Sequence, residues 1–225
     1  MDSAVDHQAE SHDFSGMRRA MVTSQLRTNA VDDQRVVAAM AAIPREDFVP
    51  AAARPIAYRD TPLPAGNGRA INPPLATGRL LTAALLDAAD HVLLIGAAGG
   101  YTAALLSGIV ASVTAVEEDT DLVALARRAS VGLANVTIVE GALSAGHAAD
   151  APYDVLIVDG AIDAVPGSLI DQLRSDARIA TGLVERGVTR LASGRKTAAG
   201  FGVAPFVDSD CVVLPGFAAP AAFRF

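Results

Sequence analysis

The stretch HVLLIGAAGGYTAALL, residues 91–106, decides how this chain is read. It runs apolar, breaks at a glycine cluster and turns apolar again. No residue from Val92 to Val116 carries a charge, so on count alone the segment is long enough to cross a bilayer. Its punctuation argues otherwise. Gly96, Gly99, Gly100 and Gly108 divide it, and Asp87, Asp90, Glu117 and Glu118 stand close on either side. Such spacing predicts a short strand, a turn at the glycines, a helix and a second strand ending at Glu117. A β-α-β passage in a globular core is expected, and no membrane partner.

The same rhythm continues in both directions. ATGRLLTAALLDA (76–88) and TDLVALARRASVGL (120–133) have helical spacing, VTIVEG (136–141) and YDVLIVDG (153–160) read as strands, and PGSLIDQLRS (166–175) as a helix. Strand and helix in alternation predict a parallel sheet with helices on both faces. ARIATGLV (177–184), VTRLASGRK (188–196) and GFGVAPFVDSDCVVL (200–214) instead follow one another as strands, an antiparallel edge. Upstream, residues 16–50 read as two helices. Met17, Met21 and Leu26 form the stripe of the first; Asp32-Asp33 opens the second and Pro44 closes it. Residues 50–75, rich in Pro and Gly, are expected to be an irregular loop over the substrate. The polar, acidic stretch 1–14 has neither a basic n-region nor an apolar h-region and reads as a disordered tail. One domain is expected over 15–225, with helices and substrate loop at 15–75 and the core at 76–225.

Bulk composition narrows the function. Of 225 residues, 51% are hydrophobic and 19% charged, enough apolar mass for one sizeable core. Aromatics are only 4%, so Ala, Val, Leu and Ile must fill that core. A net charge of -7 argues against a nucleic-acid partner, which needs clustered cations to replace counterions. Cys211 is the single cysteine and has no partner within the chain, which suits a reducing, cytoplasmic compartment. His7, His12, His91 and His147 show no metal spacing, so no metal site is expected.

In an open α/β sheet a ligand binds beyond the carboxyl ends of the strands, where the strand order reverses. The strand before Gly96 delivers the chain there at Gly96-Ala97-Ala98-Gly99-Gly100. Glycine lets the backbone turn sharply and approach a ligand with no Cβ in the way. Glu117 ends the next strand about 20 residues on, where a ribose diol is hydrogen-bonded. The dinucleotide pattern G-x-G-x-x-G needs glycine at Ala98 and Tyr101 and fails at both. G-x-G-x-G, met at Gly96 and Gly100 and nearly so at Ala98, is the pattern of S-adenosylmethionine methyltransferases. From this loop alone, a strand-to-helix turn with no ligand stays open.

The stretch MVTSQLRTNAVDDQRVVAAMAAIPREDFVPAAARPIAYRDTPLPAGNGRAINPP (21–74) resembles the protein-L-isoaspartate O-methyltransferases. Their order of elements is a QLR helix, a V-P-R-E-x-F-V-P segment, an A-Y-x-D step, a glycine-rich bend and a T-I-S-x-P loop. APYDVLIVDGAIDAVPGSLIDQL (151–173) is similar to their fourth-strand segment, and the likeness covers roughly residues 17 to 175. The resemblance implies a Rossmann-like class I S-adenosylmethionine-dependent methyltransferase fold with a mostly parallel seven-stranded sheet. It also implies repair of isoaspartyl residues by carboxyl methylation, with S-adenosyl-L-methionine converted to S-adenosyl-L-homocysteine. Its implied cofactor residues are Gly96, Ala97, Ala98, Gly100, Glu117, Glu118, Gly141, Ala142 and Asp159, and its implied catalytic ones Asn72 and Asp60.

The departures are specific. Asn72 and Ala70 stand at the serine and threonine of T-I-S-x-P, Leu94 at the acid of E-I-G, and Ala98 at the middle glycine. Gly141-Ala142-Leu143 stands at G-D-G. Two other readings therefore stay open: a methyltransferase with another substrate, and a binding or regulatory module without catalysis. Asp159 reads as a methyl-proximal acid or, with a slight lean, as the cap of the next helix. Asp60 orients the loop or caps a turn, and Tyr58 packs in the core. Arg18, Arg19 and Arg27 are expected to form a solvated face, and Phe217, Phe223 and Phe225 to pack on the domain or a second subunit.

Overall fold

A computed structural model describes residues 13–218. The expected tail lies outside them except for Asp13 and Phe14, as do His7, His12, Phe223 and Phe225. At that boundary the reading shifts. Asp13 accepts from Gly16 N at 2.8 Å and caps α1, Phe14–Ala20, so the helix already includes Phe14. The chain continues as a π turn, Met21–Leu26, and then α2, Gln34–Ala42, capped by Asp33. Met21, Leu26, Val36 and Met40 are buried at the helical spacing that the stripe predicts.

Residues 50–75 are more regular than the loop expected there. After a 3-10 turn, Ala51–Ile56, they form an antiparallel hairpin of β1, Leu63–Gly66, and β2, Arg69–Ile71. The cause is local. Asn67 and Gly68 adopt φ of 50° and 74°, left-handed at both central positions, as a type I′ hairpin turn requires. Strand alternation then turns Arg69 and Ile71 inward.

α3, Pro74–Ala83, leads to β3, His91–Ile95, then α4, Tyr101–Ser107, and β4, Ser112–Glu117. Next come α5, Thr120–Ala129, β5, Val136–Glu140, β6, Tyr153–Ile162, and α6, Gly167–Ile170. β7, Leu173–Glu185, β8, Val188–Thr197, and β9, Gly200–Asp208, complete the sheet. Its seven strands run in the order β5-β4-β3-β6-β7-β8-β9, parallel through β7 and antiparallel at β8 and β9. The helix expected over 166–175 shrinks to α6. From Leu173 the backbone pairs with Tyr153 on β6, and the sheet claims residues that helical propensity had suggested.

The uncharged run from Val92 to Val116 lies mostly in the core. Val92 and Leu94 pack into one hydrophobic cluster with residues of α2 to α5, and Leu93 and Ile95 into a second with α6. A parallel strand covered on both faces has no side left for a polar residue. Among the described residues no helix is long and apolar enough to cross a membrane. β4 and β5 lie on one side of β3, and β6 on the other. The strand order thus reverses between β3 and β6, the place beyond whose carboxyl ends an open α/β sheet takes its ligand.

Candidate active site

The turn after β3 is pinned from beneath: Gly96 N and Ala97 N both donate to Val116 O on β4, at 3.0 and 3.1 Å. Gly96, Ala98 and Gly100 have φ of 80°, 46° and 93°. The turn therefore needs left-handed backbone at each position of the G-x-G-x-G pattern, and Ala98 adopts it despite its Cβ. Gly99 answers a different demand. A Cβ there would overlap the Phe48 carbonyl oxygen and meet Leu125 Cδ2 at 3.0 Å. Gly99→Ala must displace the segment that carries Phe48, and we expect it to lower unfolding free energy by about 3 kcal/mol in urea titrations. A loss below about 1 kcal/mol would show that the segment gives way freely.

Glu117, the last residue of β4, is fully buried. Its Oε1 accepts from Arg69 Nη2 at 2.9 Å, Glu118 N at 3.0 Å and Asp119 N at 3.1 Å. Its Oε2 accepts from Arg69 Nη2 at 2.9 Å and Ala98 N at 2.8 Å. The hairpin thus delivers a guanidinium, its side chain only 7% exposed, onto the acid that the spacing picks out. Arg69 Nε is buried and finds no acceptor among the described residues. Asn67, at the hairpin tip, donates to Asp119 Oδ2 at 3.0 Å and Asp121 Oδ2 at 3.2 Å, which ties the hairpin to the start of α5.

Across the reversal point, Asp159 on β6 gathers three side chains. Oδ1 accepts from Asn72 Nδ2 at 2.9 Å and Thr77 Oγ1 at 3.0 Å, and Oδ2 accepts from Thr102 Oγ1. The leaning toward a helix cap at Asp159 is corrected here. Its carboxylate is spent on three long-range partners, and α6 has no side-chain cap. Asn72 is buried, and its Oδ1 accepts from Val212 N at 3.0 Å. Both ends of the amide therefore join protein to protein.

Val212 belongs to a strap, residues 209–216, that runs beside the end of β6. Ala161 N donates to Val212 O at 2.7 Å, and Leu214 N to Ala161 O at 2.9 Å. Leu214 is buried, and its Cδ1 lies 2.9 Å from where a Gly96 Cβ would stand; its Cγ lies 2.6 Å from the same point on Gly160. Beside strap and hairpin is a cavity of about 600 Å³, bordered by Asn67, Arg69, Glu118, Asp119, Val212 and Leu214. That size suits a small-molecule ligand.

The other singled-out residues sort clearly. Gly141 N donates to Glu117 O at 3.0 Å, which sets Gly141 and exposed Ala142 beside the end of β4. Leu94 lies in the core. Asp60 accepts from Leu75 N at 3.1 Å and so caps the first turn of α3. Tyr58 is buried but polar in role: its hydroxyl donates to Glu46 Oε2 and accepts from Arg18 Nη1 and Arg45 N, both at 3.2 Å. Arg18 also pairs with Glu46 at 3.7 Å, so it leaves the solvated face expected for it, while Arg19 and Arg27 stay exposed. Phe217 is buried on the second cluster. Sequence reasoning passed over Arg69, Leu214, Arg45, Thr77 and Thr102. Asn67-Gly68 is the hairpin signal that could have put Arg69 on a strand, while its inward face is seen only in the fold. Nothing local marks Leu214.

The model of the Protein-L-isoaspartate(D-aspartate) O-methyltransferase (PCMT) family matches residues 17–201. The chain belongs to the protein-L-isoaspartate O-methyltransferase family. Within it, a Koribacter versatilis protein-L-isoaspartate O-methyltransferase is 41% identical over 176 residues, covering 76% of this chain and 79% of that one. A Methanoculleus marisnigri relative of the same name is 38% identical, with 72% and 74% covered. A solved protein-L-isoaspartate O-methyltransferase superposes with a TM-score of 0.76 at 24% identity, covering 88% of this chain and 66% of that one. A Plasmodium falciparum protein described as a beta-aspartate methyltransferase, solved with S-adenosyl-L-homocysteine, gives 0.72 at 17% identity, with 90% and 98% covered. The structural likenesses carry the fold; the sequence matches carry the family.

Proposed function

We propose that the chain is an S-adenosyl-L-methionine-dependent carboxyl methyltransferase that repairs isoaspartyl residues in damaged proteins. One observation supports this beyond family membership. Glu117 stands at the carboxyl end of β4, beside the 96–100 turn, and its partner Arg69 and its chain neighbours Glu118 and Asp119 border the 600 Å³ cavity. Gly96, Ala97, Ala98 and Gly100 offer the cofactor a backbone turn, Glu117 and Glu118 its ribose side, and Gly141 and Ala142 its adenine side. Asp159 lies toward the reacting end, with Asn72 on the substrate side and Asp60 holding α3 in place. Residues 15–225 act as one catalytic domain, since Met21 and Leu26 share a core cluster with Leu80 and Leu94. A single buried, unpaired cysteine supports a reducing compartment, and we place the protein in the cytoplasm.

When bound, the cofactor supplies a methyl group on a cationic sulfur, and the carbon–sulfur electron pair stays with sulfur as the acceptor oxygen takes the methyl. A side-path carboxylate, with an ordinary pKa near 3.9, is ionised at neutral pH, so no residue of the chain has to remove a proton. What the chain contributes is position and exclusion of water. Both ends of the Asn72 amide already bond to protein, Nδ2 to Asp159 and Oδ1 to Val212 N, so it works by fixing Asp159 against the strap. A second reading, a binding module without transfer, is favoured by Arg69, which occupies both oxygens of Glu117. Tritiated cofactor and an isoaspartyl peptide separate the two. Base-labile ester releasing volatile methanol above an aspartyl-peptide control is expected; a protein that binds S-adenosyl-L-homocysteine yet releases none overturns the substrate assignment.

A further inference from the structure

We propose that Arg69 and Leu214 gate the cofactor seat and set its affinity, standing where the ligand goes and yielding when it enters. This rests on the methyltransferase reading. A carboxylate has about four lone-pair directions. The five N–H contacts on Glu117 use them all, and two come from Arg69. A ribose diol that needs both oxygens must therefore displace a donor. Three of the donors are backbone amides of the turn and of the step after β4, which cannot leave without breaking the sheet end. Arg69 is the donor that can go, because it rides on a two-stranded hairpin outside the seven-stranded sheet.

Leu214 closes the second half. It fills the space above Gly96 and Gly160, the two places where the missing Cβ lets a ligand approach β3 and β6. Ser209 and Cys211 tie the start of the strap to Thr189, while residues 212–214 are held by the bridge to Ala161 and by the Asn72 amide, so that part can lift from its anchor while the sheet stays whole. Affinity is then reduced by the fraction of molecules that stand open. Removing either side chain raises it.

The test is calorimetric titration with S-adenosyl-L-homocysteine of the full chain and of Arg69→Ala, Leu214→Ala and the double variant, each checked for folding by circular dichroism. Each single change should tighten binding about ten-fold, and the two together more than either. Cys211 supplies a readout on the unaltered protein. It lies in the strap, and burial pushes its thiol up to about 12, so a disulfide reagent reacts slowly. Saturating ligand should speed that labelling about ten-fold, because entry lifts the strap. Tight binding by the unaltered chain, unchanged in the variants and with slower labelling, overturns the gate and leaves the methyltransferase reading in place. Absence of binding by every form overturns both, since opening the seat then reveals no site.

Discussion

Arg45→Met is expected to cost the fold about 3 kcal/mol in urea unfolding. Arg45 has no exposed surface at all. Its Nε donates to Ala57 O at 2.8 Å and its Nη2 to Asn72 O at 2.6 Å, while the guanidinium lies 4.8 Å from the centre of the Tyr101 ring. Methionine keeps most of the volume but leaves two buried carbonyls without a donor, each worth about 1–3 kcal/mol. Loss of the cation–ring contact adds about 1 kcal/mol, and relief of a buried charge offsets part of the total. Burial already drives the Arg45 pKa down from its ordinary value, with Tyr101 and Asp159 opposing the shift. The consequence reaches the site, because Arg45 holds the backbone of Asn72, whose side chain joins Asp159 to the strap. Cys211 labelling should therefore quicken in this variant even without ligand. Stability within about 1 kcal/mol of the unaltered protein would mean that water or a neighbour satisfies those carbonyls.

Glu117→Gln should cost about 4 kcal/mol, and Arg69→Gln distinctly less, although the two residues form one ion pair. The asymmetry follows from what each keeps. Without Arg69, Glu117 still accepts from Ala98 N, Glu118 N and Asp119 N. Without the Glu117 carboxylate, Arg69 is a buried cation whose side-chain hydrogen bonds among the described residues all ran to the lost group. Breaking a buried pair from that side is the costly direction. The double variant should then be more stable than the sum of the single losses by about 2 kcal/mol, measured as a coupling in a double-mutant cycle. Additive losses would mean that Arg69 and Glu117 do not depend on each other in solution.

These two variants also mark how far the sequence could be read. The uncharged run from Val92 to Val116 was enough for β3, α4 and β4, because covering a strand on both faces removes every polar position. The glycines at 96 and 100 were enough for the turn, because φ of 80° and 93° is a demand of single residues on their own backbone. Asp33 announced α2 in the same way, by capping an amide two residues on. The segment 166–175 went the other way. Its helical pattern is a weak local preference, and pairing with β6 outweighed it from Leu173 onward.

Local pattern, then, was sufficient for the sheet, the turn and the placing of Glu117, since each depends on periodicity or backbone freedom within a few residues. The company Glu117 keeps depended on the folded chain. Arg69 is 48 positions away in sequence, and the strap bearing Val212 lies 140 positions from Asn72. Which donor fills a carboxylate, and which apolar side chain fills a gap above a glycine, is settled by three-dimensional proximity that no periodicity encodes.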